Sequence, residues 1–213
     1  MKIDAVVMRH PIPGAPKHLQ EFINAIIINA GDGPHEHPTQ AILDMVSLHE
    51  KFNRLKGLKI GIVGDVAHSR VALSNIYGLT TMGAKVMLCG PPNLIPKHLE
   101  DLNIDSSSNI DEVIEWADAL NILRIQKERM GLTLVPSQRE YRATFGITKE
   151  RLKKHKKEIV IMHPGPMNRG VEIDGVVADS DQAIILDQVL NGVASRMAIL
   201  YLLCGGKSRD GDS

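Results

Sequence analysis

Cationic and imidazole side chains follow several apolar segments of strand length. Arg9 and His10 follow the first such segment, Arg70 lies beyond a later one, Arg124 ends another, and His163 follows the last. An arginine side chain can bind a carboxylate or a phosphate through two parallel hydrogen bonds. The pattern therefore predicts a site for a small anion that carries phosphate or carboxylate groups.

Other kinds of site find less support in the residues. His35 and His37 form an HxH pair that could ligate zinc, but no third ligand follows at a fixed spacing. Gly61 and Gly64 do not complete the GxGxxG pattern of a dinucleotide turn, and Asp65 would repel a pyrophosphate there. The sequence contains no GxSxG elbow, and neither cysteine has an activating neighbour. We therefore expect no metal, no cofactor and no covalent intermediate.

The elements that must position these side chains can be read from the apolar pattern. Strand-length apolar segments alternate with stretches of helical period, which is typical of an α/β fold with a mainly parallel sheet. In such sheets, ligands bind beyond the carboxyl ends of the strands. Strands are predicted at 4–8, 25–29, 58–63, 84–89, 119–125 and 159–162, helices at 18–23, 38–52, 69–82, 111–118, 148–158 and 182–203, and a polar loop at 126–147.

The pattern also predicts a domain organisation. Residues 1–45 hold only two predicted strands, too few to bury a core alone, so we expect them to be the remnant of a domain. Residues 46–180 are predicted to form a second domain. Residues 181–205 are predicted to form a helix that packs back on the first, and residues 206–213 a flexible tail.

The composition indicates the compartment and the kinds of partner to expect for the protein. Lysine plus arginine and aspartate plus glutamate number 25 each, so no net field favours nucleic acid or a membrane as a partner. The two cysteines lie in apolar runs, and the chain shows neither a signal pattern nor an apolar run of about 20 residues. These features predict a cytoplasmic protein.

Six motifs occur in the order found in aspartate carbamoyltransferases. They are VVMRHP at 6–11, HPTQ at 37–40, GDVAHSR at 64–70, LRIQKER at 123–129, HPGPMNRG at 163–170 and NGVASRMAILYLL at 191–203. The chain resembles that family over nearly its whole length. The resemblance implies a parallel-sheet α/β/α aspartate-binding domain and an incomplete carbamoyl-phosphate-binding α/β domain. HPGP in place of HCLP, and the lack of an SMG loop, separate the chain from ornithine carbamoyltransferases.

The activity that the resemblance implies is carbamoyl transfer from carbamoyl phosphate to L-aspartate, in pyrimidine (UMP) biosynthesis and without a cofactor. Arg9 and His37 would be catalytic, because they would bind carbamoyl phosphate and stabilise the oxyanion that forms on its carbonyl. Gln40 would accept a hydrogen bond from the carbamoyl amide. The backbone around Gly165 and Pro166 would complete the carbamoyl-phosphate site.

The resemblance also implies an aspartate site and an assembly. Arg70 and Arg124 would clamp the two carboxylates of aspartate, with Gln126 beside them. A homo-oligomer is expected, a trimer with sites shared between subunits, and a regulatory or dihydroorotase partner is possible within the family.

Two features of the family are absent from the sequence. Neither the STRT segment, which cradles the phosphate in the family, nor the later loop that supplies a Ser and a Lys to the neighbouring subunit's site occurs in the 213 residues. The chain is therefore expected to be an N-terminally truncated member, either a fragment with a mis-assigned start or a naturally short protein, and to be inactive alone. The alternative is a non-catalytic binding or assembly subunit, against which the intact substrate residues argue.

Overall fold

The structure, a computed structural model, describes residues 3–97, 104–125, 137–155 and 157–205. These residues form two separate parallel β-sheets. The tail predicted at 206–213 lies outside the described residues.

The smaller sheet pairs two strands near the start of the chain. Strand β1 (Ala5–His10) lies parallel to β2 (Ile26–Asp32), and helix α1 (Ala15–Gln20) connects them. Gly14 precedes α1 with a left-handed φ of 79°, a conformation that costs glycine nothing sterically. Pro16 lies in the first helical turn, where a missing N–H is no loss. Helix α1 begins three residues before the helix predicted at 18–23.

The rest of the chain forms a five-stranded sheet with its helices. In chain order the elements are α2 (Pro38–Phe52), β3 (Lys59–Val63), α3 (Arg70–Thr81), β4 (Lys85–Cys89), β5 (Asp105–Ser107), α4 (Ile110–Trp116), β6 (Ala119–Ile122), α5 (Gln138–Phe145), α6 (Lys149–Lys154), β7 (Val160–Met162), α7 (Gly175–Ala178) and α8 (Ile185–Cys204). The strands run parallel in the order β5-β4-β3-β6-β7. The predicted parallel α/β fold is confirmed.

The strand order reverses between β3 and β6. From β3 the chain builds outward through β4 and β5, and then returns to place β6 on the other side of β3. Loops leaving the carboxyl ends of two such strands diverge and leave a crevice, which is where open α/β sheets bind ligands. The sheet therefore provides a binding position beyond β3 and β6.

Both faces of the larger sheet are buried. Ile60 and Ile62 of β3 are fully buried in a hydrophobic cluster with α2 and α3, and each such side chain stabilises the fold by about 1.5–3 kcal/mol. Gly61 lies between them, and a Cβ there would come within 2.7 Å of Leu120 Cδ2 and 2.8 Å of Val113 Cγ1. Glycine at this position allows α4 to pack closely against the sheet.

The polar loop predicted at 126–147 is partly wrong. Residues 126–136 lie outside the described residues, but 138–145 form α5. Ser137 Oγ accepts from the Glu140 backbone N–H at 3.3 Å, and a Glu140 carboxylate oxygen accepts from the Ser137 N–H at 3.1 Å. This reciprocal capping box starts the helix. Tyr141 and Phe145, one turn apart, then bury its apolar side.

Smaller departures from the predicted elements have local causes. The strand predicted at 119–125 ends at Ile122, and β5 and α7 were not predicted, because elements of three and four residues carry too little periodicity to detect. The domain boundary predicted after residue 45 falls inside the continuous helix α2 and stays a prediction.

Helix α8 packs along α2 through polar as well as apolar contacts. Asn191 Nδ2 donates to Ser47 Oγ at 3.0 Å and to a Glu50 carboxylate oxygen at 2.6 Å. Its other side carries many exposed apolar side chains, including those of Leu186 and Leu190. None of the helices in the described ranges is long and apolar enough to cross a bilayer.

Candidate active site

A pocket of about 540 Å³ lies beyond the carboxyl ends of β3 and β6, at the reversal of strand order. Segments that follow β1, β2, β3, β6 and β7 all contribute to its wall. The lining includes every predicted site residue except Gln126, which lies outside the described residues: Arg9, His37, Gln40, Arg70, Arg124, Gly165 and Pro166. The structure therefore brings together side chains that are up to 157 positions apart in the sequence.

The loop after β2 is organised by one buried carboxylate. Asp32 is 1% exposed, and its two oxygens accept from the backbone N–H groups of Gly14 at 2.7 Å and Glu36 at 2.9 Å, and from Asn29 Nδ2 at 3.1 Å. His35 Nδ1 lies 3.0 Å from the same carboxylate. Burial acts to raise the pKa of Asp32, but these hydrogen bonds outweigh it and lower the pKa to about 2. The resulting fixed loop leads directly into α2.

His37 occupies the N-cap position of α2 and lines the pocket. Its backbone N–H donates to Ser74 Oγ at 2.8 Å, which ties the loop to α3. Burial, followed by the positive charges of Arg70, Arg196 and Arg9, lowers the pKa of His37 from 6.5 to about 4. A neutral imidazole carries one N–H, so at neutral pH His37 can donate one hydrogen bond to a ligand oxygen.

The lowered pKa of His37 predicts a dependence of stability on pH. Between pH 6.5 and pH 4, His37 is protonated in the unfolded chain but stays neutral in the folded chain. The free energy of unfolding is therefore unaffected by this group above pH 6.5 and falls as the pH drops toward 4. After allowance for partial exposure, we expect a loss of about 1–2 kcal/mol from this group. Urea unfolding from pH 7 to pH 4.5 should show a flatter profile for His37→Gln than for wild type. His49→Gln, on the exposed side of α2, is the control, and equal slopes for wild type and His37→Gln would contradict the assignment.

Gln40 lies in the first turn of α2 with its carboxamide fixed. Its Nε2 donates to Asp44 Oδ1 at 3.0 Å, one helical turn further on. This bond occupies the nitrogen side of the amide and leaves Oε1 as an acceptor. An acceptor in this pocket suits a ligand with an N–H group.

Arg70 is the first residue of α3 and lies against the small sheet. Ser69 caps the helix by accepting from the Ala72 N–H at 3.2 Å. Gly31 has a φ of 118°, and a Cβ there would lie 3.0 Å from Arg70 Nη1, so glycine makes room for the guanidinium. Burial and the nearby charge of Arg9 lower the pKa of Arg70, which nevertheless stays a cation. Arg70 therefore joins the two sheets at the pocket.

Arg124 and the segment after β7 form the opposite wall. Arg124 lies two residues after the end of β6, and Asn168 Nδ2 donates to the carbonyl of Ile125 at 2.8 Å, which holds the two segments together. The N–H of Gly165 donates to His163 Nδ1 at 2.9 Å. Pro166 follows in the pocket wall.

Three further polar residues, Asp65, His68 and Ser69, line the pocket without a predicted role. His68 Nδ1 lies 2.8 Å from Asp65 Oδ1, and both residues come from the loop after β3. The sequence placed them at a strand end, but only the fold shows that they share the wall with Arg70. Among the pocket-lining side chains that the structure describes, Asp65 is the only acidic one, beside three arginines. The electrostatic balance of the pocket therefore favours an anion.

One cluster of side chains in the described part of the chain has the spacing of a metal site. Asp32, His35 and Glu36 place one potential ligand atom each within 4.8 Å of one another. The Asp32 oxygens already accept four hydrogen bonds, so a cation there would have to displace them. His37 lines the pocket, whereas His35 contacts Asp32, and the two do not act as a pair.

Comparison with known families agrees with this geometry. Residues 56–203 match the model described as "Aspartate/ornithine carbamoyltransferase, Asp/Orn binding domain". Residues 1–50 match the model for the carbamoyl-P binding domain of the same enzymes. The chain belongs to the aspartate/ornithine carbamoyltransferase family.

Among individual proteins, the similarity is to aspartate carbamoyltransferases. The catalytic subunit from Christiangramia forsetii is 59% identical over 203 residues, which are 95% of this chain and 66% of the relative. The catalytic subunit from Gemmatimonas aurantiaca is 54% identical over 213 residues, 100% of this chain and 67% of the relative. The chain thus spans about two thirds of the length of the curated relatives that it matches.

Solved structures give the same result for the fold. The aspartate transcarbamoylase of Trypanosoma cruzi in complex with carbamoyl phosphate superposes with a TM-score of 0.84 at 32% identity, covering 93% of this chain and 65% of that one. The catalytic subunit from M. jannaschii gives a TM-score of 0.83 at 35% identity, covering 97% and 68%. The same Trypanosoma cruzi enzyme has been solved with N-(phosphonacetyl)-L-aspartic acid.

Proposed function

We propose that the pocket binds carbamoyl phosphate and L-aspartate and serves the transfer of the carbamoyl group between them. The observation that carries the proposal is the convergence of Arg9, His37, Gln40, Arg70 and Arg124 on one pocket at the switch point of the sheet. The arginines supply positive charge, neutral His37 supplies a hydrogen-bond donor, and Gln40 supplies a fixed amide acceptor. Such a set suits a phosphate, a carbamoyl group and carboxylates together.

The proposed reaction is an acyl transfer without a covalent enzyme intermediate. The aspartate amine attacks the carbonyl carbon, a new C–N bond forms, the C–O bond to phosphate breaks, and phosphate leaves. The departing phosphate takes the proton that the amine loses, which explains why the reaction needs no carboxylate base. N-carbamoyl-L-aspartate and phosphate are the products, as required for pyrimidine biosynthesis.

His37 and Arg9 are the proposed catalytic residues on the carbamoyl side. Neutral His37 donates to the carbonyl oxygen, and Arg9 adds positive charge as the tetrahedral oxyanion develops. Fixed donors of this kind typically contribute about 10²–10³ in rate each. The pKa of about 4 supports His37 as a donor that stays neutral across the physiological range.

Gly165 and Pro166 are proposed to complete the carbamoyl-phosphate side. On the aspartate side, Arg70 and Arg124 are proposed to clamp one carboxylate each, with Gln126 beside them. Two clamped carboxylates leave the amine little freedom, so that it is held toward the carbonyl carbon. Positioning of this type can supply several kcal/mol of the barrier, within the roughly 7–11 kcal/mol available to well-oriented reactants.

The surroundings of the enzyme are part of the proposal. We place it in the cytoplasm, in keeping with its free cysteines Cys89 and Cys204. A homo-oligomer, with a trimer as in the family, and contact with a regulatory or dihydroorotase partner are further proposals. The exposed apolar side of α8 supports contact with additional protein.

The choice of acceptor tests this proposal. With inorganic phosphate present, L-aspartate should raise the melting temperature of the chain, whereas L-ornithine at the same concentration should not. The reason is that Arg70 and Arg124 attract a second carboxylate and repel a second ammonium group. Equal shifts with the two amino acids, or a larger shift with ornithine, would overturn the aspartate assignment.

A further inference from the structure

A buried carboxylate lies behind the pocket, at the meeting point of four elements. Asp44 of α2 is 0% exposed. Its Oδ1 accepts from Gln40 Nε2 at 3.0 Å and from Gln188 Nε2 of α8 at 2.8 Å. Its Oδ2 accepts from Asn75 Nδ2 of α3 at 2.7 Å and lies 3.5 Å from Asn121 Nδ2 of β6. Each of these four partners is a primary amide that presents its nitrogen.

We infer that Asp44 is a positioning residue that selects the orientation of the Gln40 amide in the pocket. A primary amide has a donor side and an acceptor side of nearly the same shape, and only its partners decide which one faces a ligand. Burial raises the pKa of Asp44, and the four amide N–H groups around it act in the opposite direction and favour the ionised form. An ionised carboxylate accepts and does not donate, so Asp44 in this form can bind only the nitrogen side of Gln40. The acceptor Oε1 is thereby left for the ligand.

The consequence is a preference among acyl phosphates. This inference rests on the proposed function, in which Oε1 of Gln40 accepts from the NH₂ group of carbamoyl phosphate. Acetyl phosphate has the same phosphate and carbonyl, but a methyl group replaces the NH₂. Asp44 would therefore help the site to discriminate a carbamoyl from an acetyl group without touching either.

The same carboxylate reaches the opposite wall through Gln188. While Gln188 Nε2 donates to Asp44, its Oε1 accepts from the backbone N–H of His163 at 3.0 Å. His163 Nδ1 in turn accepts from the Gly165 N–H at 2.9 Å. The Asp44 carboxylate is thus linked by hydrogen bonds to Gln40 in one wall of the pocket and, through Gln188, to the segment at 163–165 in the other.

Asp44→Asn is the test variant, because it keeps the shape of the side chain but leaves one acceptor oxygen for several donors. The dissociation constants of carbamoyl phosphate and acetyl phosphate are measured by calorimetry on the full chain, and their ratio is the readout. We expect the preference for carbamoyl phosphate to fall about tenfold, the value of one hydrogen bond. In Gln40→Leu the preference should fall equally, and adding Asp44→Asn to it should cause no further loss.

Asn191→Leu is the matched control, since Asn191 bridges the same two helices about one turn away without a contact to Gln40. It should lower the melting temperature and leave the ratio unchanged. If Asp44→Asn unfolds, Asp44→Glu, which keeps an acceptor but displaces it, supplies the same readout. A folded Asp44 variant with the wild-type ratio of the two dissociation constants would overturn this inference and leave the proposed function standing. A wild-type chain that binds neither acyl phosphate overturns the proposed function as well.

Discussion

Replacement of Arg124 by leucine is expected to weaken the binding of N-(phosphonacetyl)-L-aspartate by about a hundredfold or more. A bidentate pair between a guanidinium and a carboxylate in a half-buried pocket is worth about 3 kcal/mol when one partner is removed, and each 1.4 kcal/mol is a factor of ten. Isothermal titration calorimetry at fixed salt measures the change. The melting temperature of the unliganded variant is measured alongside, so that a loss of folding is distinguished from a loss of binding.

The Arg124→Lys variant separates charge from geometry. Lysine keeps the positive charge but loses the planar pair of donors, so we expect it to recover only a small part of the lost affinity. Arg139→Leu, on the exposed first turn of α5, removes the same side chain away from the pocket and should leave binding unchanged. Wild-type affinity in Arg124→Leu would contradict the role proposed for this residue.

Replacement of Asp32 by asparagine is expected to lower the free energy of unfolding by about 3 kcal/mol. One carboxylate oxygen accepts from the Gly14 N–H and the other from the Glu36 N–H. Whichever way an amide is turned, its NH₂ group meets one of these backbone donors, and a buried donor left without an acceptor costs about 1–3 kcal/mol. The loss of the charge-assisted bonds adds to this cost. Because the loop leads into His37, affinity for N-(phosphonacetyl)-L-aspartate should fall as well.

The pH dependence identifies the carboxylate as the cause. The pKa of Asp32 is lowered from 3.8 to about 2 in the folded chain, so its contribution is full above pH 3.8 and is lost as the pH falls toward 2. Chemical unfolding measures the difference in the free energy of unfolding between wild type and Asp32→Asn at pH 6 and at pH 3. We expect this difference to be smaller at pH 3 by about 1 kcal/mol. Asp105→Asn, an exposed change on β5, should leave stability nearly unaltered at both values. A gap that stays constant with pH would assign the loss to packing and not to charge.

The gathering of cations at one edge of the sheet was predictable from the sequence alone. Parallel strands end at the same edge, so residues placed after different strands, such as Arg70 and Arg124, could be expected near each other. The order of the strands was not available in the same way. Only the pairing of β3 with β6 places these two arginines on either side of a switch point.

Asp44 shows what the apolar pattern hides. Ile42 and Val46 are apolar residues at helical spacing in the helix predicted at 38–52, and Asp44 is a charged residue between them. In the structure Ile42 and Val46 are exposed, at 39% and 36%, whereas Gln40 and Asp44 are buried. The buried side of α2 also carries Leu43 and Leu48, and Asp44 is accommodated beside them by amides from other elements, including Gln188, 144 positions away. Tertiary contacts of this range leave no local signal.

Helix α5 was missed for a different reason, because its signal is present and local. The residues S-Q-R-E at 137–140 follow the capping-box pattern, and Tyr141 and Phe145 follow at helical spacing. The sequence at 126–147 is polar over most of its length, and this composition favours a loop, whereas the capping pattern that favours a helix covers only four residues. The cap and not the composition decides the conformation there.

The most direct test of the central claim, that one pocket takes both substrates, is a competition experiment. N-(phosphonacetyl)-L-aspartate is titrated into the full chain by calorimetry, alone and then with a high concentration of carbamoyl phosphate or of L-aspartate. The account predicts one analogue bound per chain, with an apparent affinity that each substrate lowers separately. An analogue that does not bind, or one that only one of the two substrates displaces, would contradict a shared carbamoyl-phosphate and aspartate site.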